Sequence, residues 1–405
     1  MRGRAQAGGD AGSARVSRVL VCAALWLLAL AGCDHRRETS CRFGAETAVF
    51  ASRSVALDDA ALVRAREVAW LIASDEQGLF VRKLDARSGR PLAAMTRVAE
   101  RCAGGLDAIE GAQHDVLVAC LRPGESRQAS AEHALTLYRL NADGALQSLA
   151  AFGAAGKRSR GVTLSVLGAQ AFIGFQDAIV GEARTWLAIV PLTAAGDATT
   201  LRVLSDPSLS GSAPSFAVHG GRVFGAWAET RDDRAGRLVF ADLQARAAPV
   251  ALFATRDPSP SPSLVALEPG GFAVAFRDTR DRRRKTGLYL ATIEDGGRVS
   301  HAPLRVARAD GTGRPALRAC LRAGTHELIA ATPRTFGGDY FVGAVRVDAA
   351  LAHVSGEQQF YEDTREFSQV ALSCAEAGAL LAIAERGKIE RGTHAALRAV
   401  PLACR

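Results

Sequence analysis

The sequence is poor in aromatic residues, methionine and lysine. Aromatic residues are only 6% of the 405 residues, two residues are methionine, and only four of the 50 basic residues are lysine. The arginines are spread along the whole chain and form no single basic surface, so we expect no nucleic-acid partner. With 48% hydrophobic and 23% charged residues, the composition is that of a globular protein and excludes collagen-like, coiled-coil and disordered classes.

Motifs that identify common active sites and metal sites are also missing. The sequence has no Cys-x-x-Cys pair, no Gly-x-Ser-x-Gly elbow and no complete phosphate-binding loop. His326-Glu327 begins like a zinc-binding helix, but Ala330 stands where the second histidine is required and the segment has a strand pattern. Gly-Thr-Gly-Arg-Pro at 311–315 mimics a dinucleotide-binding turn, but its proline and the strand that follows leave no helix N-terminus for a pyrophosphate. We therefore expect no metal ion, no cofactor and no catalytic residue.

The N-terminus has the pattern of an export signal. Four arginines precede an uncharged apolar run at 19–31, which is too short to span a bilayer comfortably. The run ends in Leu30-Ala31-Gly32-Cys33, which resembles the bacterial lipobox. The resemblance implies a signal peptide at 1–32, a diacylglycerol-modified Cys33, and a polar tether at 33–47. The alternatives are an ordinary signal peptide with an incidental cysteine and an uncleaved membrane anchor.

The lipobox also implies a location. We expect the protein in the cell envelope of a Gram-negative bacterium, held by its N-terminal lipid in the inner or the outer membrane. Asp34 follows the modified cysteine, and in some Gram-negative bacteria such a residue implies retention at the inner membrane. Because sorting rules differ between lineages, the leaflet stays open.

Six cysteines remain once Cys22 leaves with the signal peptide and Cys33 carries lipid. Export places them in an oxidising compartment, so up to three disulfide bonds are expected. Cys102 and Cys120 flank a hairpin pattern that turns near Gly111, and counting outward from the turn places them almost opposite each other. The sequence therefore predicts a bond between these two.

The other four cysteines are harder to pair. Cys41 and Cys404 lie at the two ends of the folded region, and a bond between them would close a ring-shaped fold. Cys320 and Cys374 are then left over, in similar places of successive repeats, where they could be too far apart to bond.

A repeat of roughly fifty residues runs through the chain. Its clearest copies, at 214–232 and 262–281, share Pro-Ser, a short apolar strand, a Gly-Gly turn, a second apolar strand with an aromatic residue, and acid-Thr-Arg-Asp. Fainter copies extend the pattern to seven units of short strands without a helical period. The sequence predicts an all-β fold, a β-propeller at 48–405 with seven four-stranded blades. Six blades and tandem β-sandwiches are the alternatives.

The Pro-Ser, Gly-Gly and Trp-x-Glu-x-Arg pattern resembles repeats of secreted and lipid-anchored bacterial propellers that are related in shape to sialidases. The resemblance covers two of the seven units well. The Ser-x-Asp-x-Gly-x-Thr-Trp box of sialidase blades is absent from the chain. The resemblance thus implies a propeller but assigns no sialidase active site.

Two groups of charged residues stand out against this repeat. Five of the six residues at 280–285 are basic, between the second and third strands of one unit. They could bind an anionic partner, but we favour a solvated hairpin tip because the matching loop at 231–234 mixes acids and bases.

Acids close the second strands of three units, and we expect them to bond turn amides or pair with an arginine of their own hairpin. These acids and arginines are Glu229 with Arg231, Asp278 with Arg280, and Glu385 with Arg386. A ring of acids at a ligand-binding face is the alternative.

Propellers present variable loops on two faces of a stiff disc. We therefore expect a monomeric, non-catalytic envelope lipoprotein whose propeller binds a protein or a surface polymer. The alternative is a glycoside hydrolase or lyase-type enzyme with its site in the central channel. Several arginines, an acid and a tyrosine at one mouth of the channel would favour the enzyme, and walls of alanine, valine and glycine would exclude it.

Overall fold

A computed structural model of the chain describes residues 41–404 apart from short gaps, and at a few strand ends it describes the backbone alone. The gaps are 55, 123–133, 154–158, 180–181, 193–198, 232–235, 246, 258–260, 280–285, 310–313, 323–324, 337–338, 362–365, 376–377 and 388–393. The described residues form thirty β-strands, all of whose pairings are antiparallel. Nowhere in this part of the chain does a helix occur that could cross a membrane.

The strands form seven antiparallel sheets, which we call blades 1 to 7. Blade 1 contains β3 (Asp59–Ala65), β4 (Val68–Asp75), β5 (Gly78–Asp85) and β6 (Thr96–Ala99); blade 2 contains β7 (Leu106–Glu110), β8 (Val116–Arg122), β9 (Ala134–Leu140) and β10 (Leu146–Gly153). Blade 3 contains β11 (Arg160–Leu167), β12 (Gln170–Ile179), β13 (Glu182–Pro191) and β14 (Thr200–Val203); blade 4 contains β15 (Ser210–Gly211), β16 (Ser215–His219), β17 (Arg222–Thr230), β18 (Gly236–Asp242) and β19 (Val250–Thr255).

The remaining strands complete the ring. Blade 5 contains β20 (Ser263–Ala266), β21 (Phe272–Asp278), β22 (Gly287–Ile293) and β23 (Val299–Arg308); blade 6 contains β24 (Ala316–Arg322), β25 (Thr325–Phe336), β26 (Asp339–Asp348) and β27 (Gln358–Tyr361). Blade 7 contains β28 (Glu366–Ala375), β29 (Gly378–Arg386) and β30 (Ala396–Cys404), with β1 (Cys41–Phe43) and β2 (Thr47–Ala51) paired to β30.

Seven hydrophobic clusters join the blades into a closed circle. Each cluster is built by two successive blades, and one of them joins blade 7 back to blade 1. The first strands of successive blades, β3, β7, β11, β16, β20, β24 and β28, are also neighbours around the centre. The fold is therefore the predicted seven-bladed β-propeller, and the six-bladed count and the tandem sandwiches were wrong.

The alternation of side chains along β29 shows why small residues suit this fold. Ala382 and Ala384 pack toward blade 1, whereas Leu381 and Ile383 pack toward blade 6. Successive side chains of a strand point to opposite faces of a sheet. Since both faces are covered by neighbouring blades, the strand is a continuous apolar run, and its alanines let the blades approach closely.

Blade 7 is built from both ends of the folded chain. Cys41 lies opposite Cys404 in the β1–β30 pairing, and a disulfide bond joins them with their Cα atoms 3.9 Å apart. The bond closes the ring as the sequence suggested. Because Cys41–Phe43 is already a strand of this blade, part of the segment 33–47 that we expected to be tether belongs to the propeller.

The other two disulfide bonds lie within and between blades. Cys102 is bonded to Cys120 within blade 2, with Cα atoms 5.4 Å apart. Cys320 of β24 is bonded to Cys374 of β28, with Cα atoms 5.5 Å apart. Since these two first strands are neighbours at the centre of the ring, equivalent positions in successive blades are close enough to bond. The predicted signal peptide at 1–32 and Cys33 lie outside the described residues.

Candidate functional site: the central channel and the turn face

The first strands of the blades line the central channel, and two of them carry an aspartate there. Asp59 lies at the start of β3, and Asp107 lies near the start of β7, the next first strand around the ring. Asp59 accepts hydrogen bonds from the main-chain N–H of Ala60 at 2.9 Å and of Leu106 at 3.0 Å. Its carboxylate therefore ties blade 1 to blade 2.

Asp107 repeats this arrangement one blade further on. It accepts from the N–H of Ala108 at 2.8 Å and from that of Leu164 in β11 at 2.8 Å. First strands of different blades do not pair in a common sheet, so their N–H groups need other acceptors. The two carboxylates satisfy that need between blades 1, 2 and 3.

Two arginines from blade 6 complete a charged group in the channel. Arg314, just before β24, donates through Nη2 to the carbonyl oxygens of Ala213 at 3.0 Å and Pro214 at 2.5 Å. Those carbonyls precede β16 of blade 4, so the arginine reaches past blade 5 along the channel mouth. Arg318 lies on β24 itself, with its side chain open to water inside the channel.

Burial dominates the electrostatics of these four groups. It raises the pKa of Asp59 from 3.8 to about 6, because the lost hydration outweighs its two N–H donors and the attraction of Arg314. Burial likewise raises the pKa of Asp107, although Arg318 and the N–H of Leu164 favour the charged form. Lost hydration also lowers the pKa values of Arg314 and Arg318. Arg318 touches water, but the channel walls on its other sides displace part of its hydration shell.

The arrangement that would favour an enzyme is met only in part. Two arginines and two acids converge in the channel, so its walls are not merely alanine, valine and glycine. Tyr138 and Tyr289, however, are buried in inter-blade clusters. The pKa of Tyr340 is raised, mainly by burial and in smaller part by the neighbouring Glu366. The side chain of the fourth tyrosine, Tyr361, is outside the described residues.

The acids that close second strands are buried, which argues against a ring of acids exposed to a ligand. The residues Glu229, Asp278 and Glu385 are at most 8% exposed. Glu229 pairs with Arg237 and not with the expected Arg231, and Glu385 pairs with Arg398 of the next strand.

Asp278 binds turn amides as expected, accepting from the N–H groups of Arg256 at 2.8 Å and Thr279 at 2.8 Å. The arginine expected to pair with it, Arg280, belongs to the basic run at 280–285, and that run lies outside the described residues.

The propeller face formed by the turns between first and second strands, which we call the turn face, carries two cavities. Cavity 1, about 540 Å³, lies where blades 7, 1 and 2 meet and is lined by Arg64, Arg66, Glu110, His114 and Arg318 among others. Arg66 and His114 hold left-handed backbone angles, with φ of 56° and 60°. Such angles are uncommon outside glycine and often occur at functional sites.

Cavity 2, about 520 Å³, lies between the turns of blades 4, 5 and 6. His219 Nε2 lies 3.7 Å from Asp295 Oδ2, and His326 Nε2 lies 3.5 Å from Glu268 Oε2. Within the described part of the chain, no group of three or more His, Cys, Asp or Glu side chains is placed to hold a metal ion.

Sequence reasoning missed the channel and turn-face residues. Asp59-Ala60 and Asp107-Ala108 stand at the start of consecutive first strands, and this shared pair was the available signal. Arg64, Arg66 and Arg318 give no such signal, because only the closed ring brings blade 6 to the same cavity as blades 1 and 2.

Solved structures of other β-propellers resemble this chain over most of its length. An ulvan lyase, a polysaccharide lyase with a bound saccharide, matches with a TM-score of 0.56 at 8% identity, covering 88% of this chain and 95% of that chain. The WD40 domain of coronin from Toxoplasma gondii matches with a TM-score of 0.51 at 12% identity, covering 90% and 86%. No protein-family model and no curated protein sequence matches the chain. At these identities the likeness shows the propeller fold alone.

Proposed function

We propose that this chain is an exported, lipid-anchored propeller that binds a protein or a surface polymer on a rigid disc without transforming it. The three disulfide bonds support an oxidising compartment outside the cytoplasm. The lipobox-like Leu-Ala-Gly-Cys at 30–33 supports attachment to an envelope membrane through Cys33.

One observation carries the non-catalytic part of this proposal. The two channel carboxylates, the groups best suited to acid–base chemistry, each accept a main-chain N–H from the following blade. A general acid or base has to reach a substrate proton. Asp59 and Asp107 instead serve as acceptors that hold blades 1, 2 and 3 together.

The anchoring is tested by replacing the lipid-bearing cysteine. Cys33→Ala should abolish incorporation of labelled palmitate and release the protein from the membrane fraction. Cys22→Ala, inside the apolar run, is the matched control and should leave both unchanged. Unaltered labelling of Cys33→Ala would contradict the lipid anchor.

A second candidate, a lyase-type or glycoside-cleaving enzyme in the channel, is favoured by one observation. Asp59, with a pKa of about 6, lies in the electrostatic reach of Arg314 and of Asp107, and a carboxyl with a raised pKa suits general acid catalysis. The purified protein should be incubated with neutral and acidic polysaccharides, and new reducing ends or unsaturated sugar products measured. We expect no product; product formation that Asp59→Asn removes would overturn the binding proposal in favour of the enzyme.

A further inference from the structure

Several partly buried arginines of the propeller are paired with carboxylates. Arg398 lies 2.8 Å from Glu385, Arg139 lies 2.7 Å from Asp115, and Arg101 lies 2.7 Å from Asp58. Arg334 pairs with Glu357 and Arg346 pairs with Glu327 in the same way. Pairing offsets the hydration that a guanidinium loses beside protein.

The arginines of cavity 1 form no such pairs. Arg64, Arg66 and Arg318 all line it, and none of the three forms an ion pair with a carboxylate in the part of the chain that the structure describes. Its Glu110 is bonded to His114, with Oε1 2.7 Å from Nδ1. The cavity thus holds three guanidiniums without a carboxylate at ion-pair distance within the described residues, and Arg318 is attracted by a more distant one, Asp107.

Main-chain carbonyls orient two of these arginines. Arg64 donates from Nε to the carbonyl oxygen of Arg66 at 2.9 Å and from Nη1 to that of Cys374 at 3.5 Å. Arg318 donates from Nη1 to the carbonyl oxygen of Leu317 at 3.0 Å. A guanidinium has five N–H donors. Each side chain is therefore held in place while it keeps its full charge and several free donors, which is the state suited to binding an anionic oxygen group.

The remaining lining favours a ligand rich in hydroxyl groups. Glu67 and Glu110 supply carboxylate acceptors beside the arginines, and Ser373 adds a hydroxyl. Three apolar residues of the cavity wall, Leu62, Val63 and Ala108, are more than nine-tenths buried, so their side chains are largely covered by neighbouring protein. Glu67 and Glu110 would repel the carboxylates of an acidic peptide, whereas the hydroxyl groups of a sugar can donate hydrogen bonds to them.

We propose that cavity 1 binds an acidic sugar unit of a surface polymer, with Arg64, Arg66 and Arg318 holding its anionic group and Glu67 and Glu110 accepting from its hydroxyls. This inference rests on the proposed binding function and names the ligand class. The volume of about 540 Å³ falls within the range of small-molecule sites. The site opens on the turn face, and neither Asp59 nor Asp107 lines it, although Asp107 attracts Arg318.

Binding is tested by calorimetry on the purified mature chain with a galacturonate oligomer, the neutral galactose oligomer of the same length, and a poly-glutamate peptide. We expect the galacturonate oligomer to bind, with an affinity that falls as salt rises, and the galactose oligomer to bind at least tenfold more weakly. Arg64→Gln and Arg318→Gln should each weaken binding about tenfold or more. Arg298→Gln, an exposed arginine paired with Glu294, makes the same change in net charge and should alter affinity less than twofold.

Arg66→Gln keeps the test decisive if the half-buried Arg64 proves necessary for folding. Its side chain is exposed, so the variant should melt like the wild type and still lose affinity. Equal binding of all three probes, or binding that survives the three arginine variants, would overturn the inference. Poly-glutamate binding with the same arginine dependence would replace the sugar by a peptide and leave the binding function intact. Cleavage of the galacturonate oligomer would instead refute the non-catalytic function.

Discussion

At the scale of single residues, buried acids fix the linkers that enter the blades. Asp75, at the end of β4, accepts from Ser52 Oγ at 2.5 Å, and Asp177, in β12, accepts from Ser159 Oγ at 2.9 Å. Both serines lie in the segment that enters the same blade from the preceding one. Because a buried polar group without a partner is costly, each acid and its linker are stable only together. The acid thereby sets where a blade begins.

Glu229 is the most connected of these acids. Its Oε1 accepts from the N–H of Asp206 at 2.8 Å and from Trp227 Nε1 at 3.1 Å, and its Oε2 accepts from Arg237 Nε at 2.9 Å. The linker, the second strand and the third strand of blade 4 therefore meet at one carboxylate.

We predict that Glu229→Ala lowers the free energy of unfolding by about 3 kcal/mol, because it leaves buried donors without an acceptor. Glu294→Ala, which breaks an exposed ion pair with Arg298, should cost less than about 1 kcal/mol. Urea denaturation followed by tryptophan fluorescence and circular dichroism measures both. Equal losses for the two variants would contradict the role of Glu229.

The raised pKa of Asp59 leads to a second prediction, which concerns the pH dependence of stability. Its pKa is 3.8 when unfolded and about 6 when folded, so between these values the folded state binds more protons than the unfolded state. Protonation of Asp59 therefore raises the free energy of unfolding by roughly 2–3 kcal/mol below about pH 4, and this contribution is lost as the pH rises to about 6. Above pH 6 this group adds no further slope.

Asp59→Asn should accordingly flatten the fall in stability between pH 4 and 6. Part of the fall should remain, because burial also raises the pKa of Asp107. The free energy of unfolding in urea at several pH values across this window gives the slope. Asp143→Asn, which alters an exposed turn residue, is the control and should retain the wild-type slope. An unchanged slope in Asp59→Asn would contradict the raised pKa.

At the scale of elements, the first strands are joined by side chains instead of by a shared sheet. Ser215 of β16 accepts from the N–H of Leu264 in β20 at 2.9 Å, as Asp59 and Asp107 do between earlier blades. Different residue types thus serve the same purpose at different points of the ring.

The repeat itself offers a matched test of that contact. Ser215 and Ser263 follow proline in the two clearest copies, and both are 7% exposed. Only Ser215 has a hydrogen bond to the next blade within the described residues. Ser215→Ala should therefore lower the free energy of unfolding by about 1–2 kcal/mol, since a buried N–H loses its acceptor, while Ser263→Ala should change it by less than about 0.5 kcal/mol. Thermal and urea unfolding of the two variants gives the comparison, and a larger loss for Ser263→Ala would refute the assignment.

Strand pairing also explains why the predicted partner of Glu229 was wrong. Glu229 lies directly opposite Arg237 across the β17–β18 pair, whereas Arg231 follows Thr230, the last paired residue. In the same way Glu385 lies opposite Ala396, and Arg398 lies two residues further along the same strand face. The sequence shows which residues are near in the chain, but the register that brings strands together depends on loop geometry.

At the scale of the whole molecule, the blade count was predictable and the sites were not. Gly-Gly turns and Pro-Ser starts at 214–232 and 262–281 are local features, so the repeat could be read and extended around the ring. The ends at Cys41 and Cys404 then followed from closure. In cavity 1, Arg318 of blade 6 lies beside Arg64 of blade 1. No local sequence pattern predicts that residues so far apart in the chain line the same cavity.

Ring closure has a measurable consequence for stability. The Cys41–Cys404 bond spans 363 residues and the Cys102–Cys120 bond spans 18. A disulfide bond restricts the unfolded chain more when its loop is longer, by about 6 kcal/mol for the first loop and about 3 kcal/mol for the second. All four cysteines are at most 2% exposed, so the packing lost on replacement is similar for the two pairs.

We therefore predict that Cys41→Ser/Cys404→Ser destabilises the propeller more than Cys102→Ser/Cys120→Ser does. These values are upper limits, because unfolded chains retain some structure, but their order should hold. Urea unfolding of the two double variants and the wild type, without reductant, measures the difference, and mapping of disulfide-linked peptides confirms that the remaining bonds are intact. If opening the short loop cost as much as opening the long one, the closing bond would add little beyond the pairing of β1 and β2 with β30, and strand pairing alone would hold the circle shut.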